Sequence, residues 1–411
     1  MVLIKAVIFD LDDTLLDSSA LTDARDRREW RKVLSGLGSV RPFEVAEDEV
    51  EVVDLPGEVR ARGMAVGLLT HSPENYAEAL LKRHGIKVGA MVTGSDGFPN
   101  KPDPGGLLAV AKELGVEPGE CAYVGDAVGD FGAAAAAGMV SIGVSWSGAA
   151  PDSWRHGWPD IAVNRPARLL EYLDGVVGLE PLGEAMAAEV EGVGHWGSLL
   201  QLGANTFGLG RYFPTTDRRH PGQPLSRLLI DSKTGAEAQE RLGRLFEGLA
   251  AVNITNPPEL IVSVPPAPDG TDRFGPARAA LADLYDAEDG GGVLRQLYGV
   301  EDYKSTRRGD RAAKVVDRFE ASGPLEGRRI VLLDDVLTSG AQSEACRVAL
   351  REAGAGGVSI IVAGIAQDSL PDPCPKCEIG TVRTKRRGSD GHEFLGCTRW
   401  PNCWWSEDLP D

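Results

Sequence analysis

Four carboxylates, a threonine and a lysine in the first third of the chain have the types and order needed to handle a phosphate ester. Asp10 and Asp12 lie two apart where the apolar run Val7-Ile8-Phe9 ends. On an extended segment, residues two apart point the same way. Such a pair can bind Mg²⁺, which takes oxygen ligands. It can also divide roles, one acid attacking phosphorus and the other protonating the leaving oxygen. Thr70 closes the apolar run Ala65–Leu69 and offers a hydroxyl to a phosphate oxygen. Lys101, in Asn100-Lys101-Pro102-Asp103, supplies positive charge, and Asp126 and Asp130 lie four apart behind the run Ala122–Val124. An isolated Asp pair reads as a turn or a cap; the ordered set carries the chemistry.

A second constellation lies near the other end. The run Arg329–Leu333 leads into Asp334-Asp335, and Val336-Leu337-Thr338-Ser339-Gly340-Ala341 opens a helix expected from Gln342. Backbone N–H groups of such a loop, with the helix N-terminus, can cradle a phosphate monoester. The two acids are wrong for another phosphate and right for vicinal hydroxyls or Mg²⁺. Sugar hydroxyls beside a 5′-phosphate describe phosphoribosyl diphosphate.

The six cysteines fall into two groups. Cys121 and Cys346 are isolated in apolar or helical context and read as core. Cys374-x2-Cys377-x19-Cys397-x5-Cys403 has the spacing of a tetrahedral Zn²⁺ site with four thiolates. A module this short needs the metal for its stability. Arg383, Lys385, Arg386 and Arg387 form a basic strand beside Phe394, Trp400, Trp404 and Trp405. These residues either stack single-stranded nucleic acid or staple the module to its neighbour.

The elements that must position these groups follow from periodicity. Residues 1 to about 175 alternate strands (Ile4–Phe9, Ala65–Leu69, Ala90–Thr93, Ala122–Val124, Val140–Val144) with helices (Glu74–His84, Leu107–Leu114, Asp130–Ala137). That is βαβ rhythm and implies a mostly parallel sheet. A second α/β unit has strands Leu260–Val264, Arg329–Leu333 and Val358–Ala363, with helices near Ala236–Ala251, Pro276–Tyr285 and Gln342–Ala353. The expected fold class is α/β: two doubly wound parallel-sheet domains plus a small C-terminal zinc ribbon. The expected boundaries are 1–176, a linker at 177–200, 201–368 and 369–411. A charged helix is expected over Arg25–Lys32, either as a solvated face or, with Trp30, as a substrate clamp.

A length of 411 residues fits two to three domains, and 42% apolar residues suffice for cores. A net charge of −18 excludes a globally basic nucleic-acid binder but not a local basic patch. Met1 to Phe9 runs straight into a strand carrying a functional acid, so no signal peptide is expected. No apolar run reaches the length of a membrane span. A cytoplasmic protein with no membrane partner is expected.

The order DxD, Thr, Lys, GDxxxD resembles the haloacid dehalogenase superfamily of phosphatases over about 170 residues. The resemblance implies Asp10 as nucleophile, Asp12 as general acid/base, and Thr70 and Lys101 holding the phosphoryl group. It implies Mg²⁺ on Asp10, Asp126 and Asp130, with the backbone carbonyl of Asp12 as a further ligand. His71 replaces the small polar residue of many relatives, and a local hydrogen-bonding role is expected for it. The short insert after Leu16 implies a small cap over an open site.

The segment around Asp334-Asp335 is similar to type I phosphoribosyltransferases, and Leu225–Lys233 resembles the start of their ComF-like branch. The resemblance implies ribose binding by Asp334 and Asp335, 5′-phosphate binding by Thr338, Ser339 and Gly340, and diphosphate contacts from Lys233, Lys304 and Arg307. The Pro-rich loop 265–273 departs from the common pattern. A base-binding hood is expected within about 195–235, including His195, Trp196, Tyr212, Phe213 and His220. The cysteine tail resembles the C-terminal zinc ribbons of bacterial topoisomerase I.

Together these imply a bifunctional Mg²⁺-dependent enzyme of nucleotide metabolism, with structural Zn²⁺ and a nucleotide or sugar-phosphate substrate. Two alternatives stand beside it. One is a nucleic-acid end-processing phosphatase docked by the ribbon, which also leaves a protein partner open. The other is a non-catalytic sensor of phosphoribosyl ligands.

Overall fold

Apolar runs that end in acids become the inner strands of two separate sheets. The computed structural model describes residues 4–146, 153–154, 157–176, 182–189, 200–203, 205–254, 256–266, 271–297, 318–370, 372–377, 379–388 and 390–409. The chain divides into one unit of residues 1–178 with 368–411 and another of 179–367.

In the first unit, β1 (Ala6–Phe9), β2 (Ala65–Leu69), β3 (Ala90–Val92), β4 (Cys121–Gly125), β5 (Val140–Val144) and β6 (Ile161–Val163) form one parallel sheet. Its order is β3-β2-β1-β4-β5-β6. Every residue of β1 is buried, as a central strand covered on both faces requires. Strand order reverses between β1 and β4, and the carboxyl ends there form the crevice where such sheets bind ligands. The helices are α1 (Thr22–Asp26), α2 (Trp30–Ser35), α3 (Leu55–Ala61), α4 (Glu74–His84), α5 (Gly105–Leu114), α6 (Val128–Ala137) and α7 (Pro166–Leu173). Ile8, Leu69, Leu107, Val110 and Tyr123 share one core cluster. At Gly67 a Cβ would stand 2.4 Å from Val110 Cγ1, so α5 lies on β2 only because that position has no side chain.

The single helix expected over Arg25–Lys32 is two short ones. Arg28 has φ 55°, the left-handed region, and the chain turns there before α2 begins at Trp30. The turn leaves the Arg25 guanidinium at Asp12 and Asp13.

The second unit contains α8 (Leu182–Ala187), β7 (Leu200–Gly203), β8 (Thr206–Tyr212), α9 (Pro224–Asp231), α10 (Ala236–Asn253), β9 (Leu260–Ser263), α11 (Gly275–Tyr285), β10 (Glu288–Asp289), β11 (Leu294–Gln296), β12 (Phe319–Ala321), β13 (Arg329–Leu337), α12 (Ala341–Glu352) and β14 (Gly357–Ala366). The sheet order is β10-β9-β13-β14-β8-β7, parallel except for β7 on β8, while β11 and β12 form a separate antiparallel pair. Leu229, Phe246, Leu281, Leu333 and Ile361 lie in its core.

Two expectations are corrected here. The segment 177–200 is not all linker: it holds α8, tied to β8 by a buried fork. Arg211 donates through Nε to Glu184 Oε1 at 2.8 Å and through Nη2 to Oε2 at 3.0 Å. Strand β13 runs to Leu337 rather than stopping at Leu333, because pairing with β14 continues from Asp334–Val362 to Leu337–Ile365. The two acids therefore lie on the strand.

The tail folds as an antiparallel sheet of β15 (Val382–Arg386), β16 (Glu393–Cys397) and β17 (Ser406–Asp408). It groups with the first unit. Among the described residues, no helix is long and apolar enough to cross a membrane.

Candidate active site and a second ligand cleft

The carboxyl ends of β1, β2 and β4 open into a cleft of about 660 Å³ whose lining includes Asp10, Asp12, Thr70, Lys101, Asp126 and Asp130. At its floor the Lys101 ammonium lies 3.1 Å from Asp10 Oδ2 and 2.5 Å from Asp130 Oδ1. Lys101 Nζ also donates to the Tyr123 hydroxyl at 3.0 Å. Asp130 is fully buried. Its Oδ1 accepts from Tyr123 at 3.1 Å and its Oδ2 from the Ala127 N–H at 2.9 Å. Asp126 Oδ1 accepts from Thr14 Oγ1 at 2.9 Å, and buried Trp154 donates to the Asp126 carbonyl at 2.7 Å.

The electrostatics favour a cation among these acids. Oxygens of Asp10, Asp126 and Asp130 lie within 4.8 Å of one another. Burial, reinforced by Asp130, pushes the Asp126 carboxyl up to about 7. Burial also raises Asp10 well above the carboxylate range, against the opposing pull of Lys101. Crowded carboxylates hold their charge poorly unless a cation sits among them. One lysine faces three acids, so the set fits a divalent ion with oxygen preference. The Asp12 carboxylate is not part of this group. Any metal contact from Asp12 falls to its backbone carbonyl.

The Asp12 side chain faces another set of donors. It accepts from Tyr76 Oη and Ser72 Oγ, each at 2.7 Å, and pairs with Arg25 Nη1 at 2.9 Å. Arg25 also holds Asp13 at 2.8 Å. Part of the charged run thus forms the wall of the cleft rather than a solvated face, and Trp30 lines it too. Thr70 is buried, and its Oγ1 accepts from the Ser72 N–H at 3.0 Å. His71 Nε2 accepts the Lys101 main-chain N–H at 2.9 Å, a local hydrogen-bonding role. Tyr76, Tyr123, Ser72 and Thr14 escaped the sequence reading. Only the folded cleft gives them their partners.

A cleft of about 280 Å³ lies in the second unit. Asp334 and Asp335 line it with Val264, Arg273, Gln296 and Gln342. Asp334 is buried; its Oδ1 accepts the Asp335 N–H at 2.8 Å and its Oδ2 accepts from Ser343 Oγ. Burial pushes its carboxyl up to about 6, partly offset by Ser343 and Arg273. Asp335 pairs with Arg273. Arg273 escaped the sequence reading, although it lies in the loop already marked as unusual. Thr338 and Ser339 are exposed in the turn before α12, and Gly340 has φ 76° at its N-cap. Lys233 is exposed at the end of α9 and does not line the cleft. Lys304, Arg307, His195 and Trp196 lie outside the described residues.

The four tail thiols converge. Cys374 Sγ lies 3.8 Å from Cys403 Sγ, and Cys377 Sγ 3.7 Å from Cys397 Sγ. A tetrahedron with Zn–S bonds of about 2.3 Å has edges of about 3.8 Å. A disulfide needs about 2.05 Å. The set fits one Zn²⁺. Trp405 packs on the cysteines, whereas Trp400 and Trp404 are 60% and 69% exposed.

Comparison with known proteins bears on the first unit. The model of a hydrolase family, haloacid dehalogenase-like hydrolase, matches residues 43–138, which include Thr70, Lys101, Asp126 and Asp130. The phosphoglycolate phosphatase of Xylella fastidiosa is 30% identical over 185 residues, 34% of this chain and 80% of that protein. The phosphoglycolate phosphatase of Escherichia coli K12 is 38% identical over 109 residues; the match covers 25% of this chain and only 43% of that protein. The N-acetylmuramic acid 6-phosphate phosphatase of Pseudomonas aeruginosa is 26% identical over 215 residues, 42% of this chain and 95% of that protein. With its ordered acids, its lysine and this kinship, the chain belongs to the haloacid dehalogenase-like hydrolases.

Proposed function

We propose that the first unit hydrolyses a small phosphate monoester and that the second binds phosphoribosyl diphosphate and transfers its phosphoribosyl group. The observation that carries the reading is the Asp10–Lys101–Asp126–Asp130 cluster at the floor of one cleft. Its volume of about 660 Å³ is that of a small-molecule site. Relatives named for phosphoglycolate and for N-acetylmuramic acid 6-phosphate fit a small acid or sugar phosphate as substrate.

Asp10 attacks phosphorus, and the bond from phosphorus to the ester oxygen breaks. Asp12, in its protonated form, gives the leaving oxygen its proton. The aspartyl-phosphate on Asp10 is then opened by water. Asp12, now a carboxylate, takes the water's proton as the phosphorus–Asp10 bond breaks, returning Asp10 and releasing phosphate. Lys101 and Thr70 hold phosphoryl oxygens, and Lys101 screens the repulsion between nucleophile and substrate. Asp10, Asp126, Asp130 and the Asp12 carbonyl would hold Mg²⁺, which when bound would neutralise charge on the transferred group.

In the second unit, Asp334 and Asp335 accept from ribose hydroxyls, and the Thr338-Ser339-Gly340 turn takes the 5′-phosphate. A nitrogen of the incoming base bonds to C1 as the C1–oxygen bond to diphosphate breaks. Dephosphorylation of that product by the first unit would make the conversion hard to reverse. The test is mass spectrometry of wild type and Asp10→Asn with Mg²⁺, phosphoribosyl diphosphate and a metabolite pool. A nucleotide that builds up only in Asp10→Asn supports the coupled reading. Ligand bound without diphosphate release makes the second unit a sensor.

A second reading has its own observation. The basic strand β15 and the exposed Trp400 and Trp404 offer charge and stacking faces to a single strand. Salt-sensitive binding of single-stranded DNA or RNA, lost in Trp404→Ala, would favour end processing.

A further inference from the structure

Within the first unit, the cysteine tail meets the loop that carries Lys101. Asp103 lies two residues past Lys101 and is 1% exposed. Its Oδ1 accepts the Gly105 N–H at 2.9 Å, at the start of α5. Its Oδ2 accepts from Thr398 Oγ1 at 2.6 Å and from Thr381 Oγ1 at 3.2 Å. Both threonines belong to the tail, and Thr398 directly follows the thiol ligand Cys397. They also hold each other: the Thr398 N–H donates to the Thr381 carbonyl at 2.9 Å, and the Thr381 N–H to Thr398 Oγ1 at 3.0 Å. Arg399 stands 5.8 Å from the Phe98 ring centroid, and Ile379 packs where Gly105 has no side chain. Tail residues therefore flank the loop at Phe98, Asp103 and Gly105.

A buried carboxylate is costly unless its oxygens are satisfied. Those of Asp103 are satisfied mainly by the tail, so the loop's geometry depends on the tail being folded. The tail's sheet is too small to fold on an apolar core, and its fold follows from metal on the four thiolates. At the loop's other end, Lys101 reaches Asp10. The route from metal ligand to nucleophile passes through Cys397, Thr398, Asp103 and Lys101.

We propose that Asp103 is a positioning residue: through its carboxylate the metal-held tail fixes the Lys101 loop, so that Zn²⁺ loading of the four cysteines sets the rate of phosphoryl transfer at Asp10. The proposal rests on the phosphatase reading above. Asp103 touches no reacting atom.

The test uses the full chain. Wild type, Thr398→Val and Thr398→Ser are compared for zinc content, for hydrogen exchange in peptides covering 98–105 and 121–125, and for kcat and KM with p-nitrophenyl phosphate. Expected for Thr398→Val is one zinc per chain, faster exchange in 98–105 only, and a kcat lower by about tenfold to a hundredfold with KM little changed. Thr398→Ser, which keeps the hydroxyl, restores both. Unchanged exchange in Thr398→Val overturns the proposal, as does faster exchange with wild-type kcat. Should Thr398→Val lose its zinc, wild type stripped of zinc and reloaded takes its place with the same two readouts. A wild type that hydrolyses no ester sinks the phosphatase reading, and the rate claim with it. The exchange arm then still decides whether the tail orders the loop.

Discussion

The main-chain N–H of Lys101 donates to Nε2 of His71 at 2.9 Å. The acceptor nitrogen must be unprotonated, so the neutral ring with its proton on Nδ1 is the form that holds the loop. Burial and the Lys101 charge lower the His71 pKa to about 4. A depressed folded value means that the neutral form's contribution to stability is full above the unfolded value of about 6.5. It is lost as pH falls through about 4. An NMR titration should find the His71 ring neutral down to about pH 5. His71→Asn, which keeps an acceptor, should retain most activity. His71→Leu should lose about tenfold, the effect of one lost hydrogen bond.

The acid cluster has the opposite sign. Burial pushes the Asp126 carboxyl up to about 7, above the ordinary 3.8, and raises Asp10 as well. Stability from such groups is full below the unfolded value and is lost as pH rises through the folded one. The metal-free protein should therefore weaken between about pH 4 and pH 8, and Mg²⁺ should reverse the loss. Asp10→Asn should abolish hydrolysis yet raise the metal-free Tm at pH 8 by about 3 °C. Calorimetry with chelator and with Mg²⁺ reads both effects.

Lys101 shows what happens when one member of the cluster goes. Its ammonium balances Asp10 and Asp130, which is fully buried. Lys101→Met leaves these carboxylates without their cation, a change that costs about 3–5 kcal/mol when a buried pair is broken. Both activity and stability should fall, and Mg²⁺ should recover part of the stability alone. Denaturant unfolding with and without Mg²⁺ checks this.

How much of this was legible in the sequence follows from where the signals lie. Asp10, Thr70 and Asp126 directly follow the strands β1, β2 and β4, with Lys101 in the loop after β3 and Asp130 in the first turn of α6, and a parallel sheet gathers such ends at one edge. Their convergence could be read from order alone. Arg25 could not, because a charged run looks like a continuous helix until the turn at Arg28 aims it at Asp12. Helix α8 was hidden in a Gly-rich stretch, since its stabilising partner Arg211 lies 27 residues away. The docking of Thr381 and Thr398 on Asp103 spans 278 and 295 residues. No local pattern reports a hydrogen bond over such a distance.

In the second unit, Asp335 is held by Arg273. An arriving diol must compete with that guanidinium, while Asp334 stays oriented by Ser343. Asp335→Asn should weaken binding of phosphoribosyl diphosphate by about tenfold to a hundredfold, the range for hydrogen bonds to a charged group. Asp334→Asn should cost at least as much, because its buried site also anchors α12 through Ser343. Calorimetric titration with the Mg²⁺ complex of phosphoribosyl diphosphate measures both. Equal affinity in wild type and both variants would remove the ribose assignment.

The cysteine tail gives a prediction that needs no substrate. Its sulfur separations of 3.7 and 3.8 Å match tetrahedral edges around one zinc ion. Trp405 packs directly on the cysteines. Metal analysis should therefore find one zinc per chain, and Cys377→Ser should lower that content. Removing zinc should expose Trp405 to water and shift tryptophan emission to the red, while Trp400 and Trp404, already exposed, add little to the change. Residues 372–409 should then exchange their amide hydrogens freely, because zinc on the four thiolates would be the main support of a sheet this small. The strands β1 and β4 should keep their protection, since their burial lies within the first unit's own core. Loss of protection confined to the tail and the 98–105 loop is the expected exchange pattern. Uniform loss across the first unit would mean instead that zinc supports the whole fold.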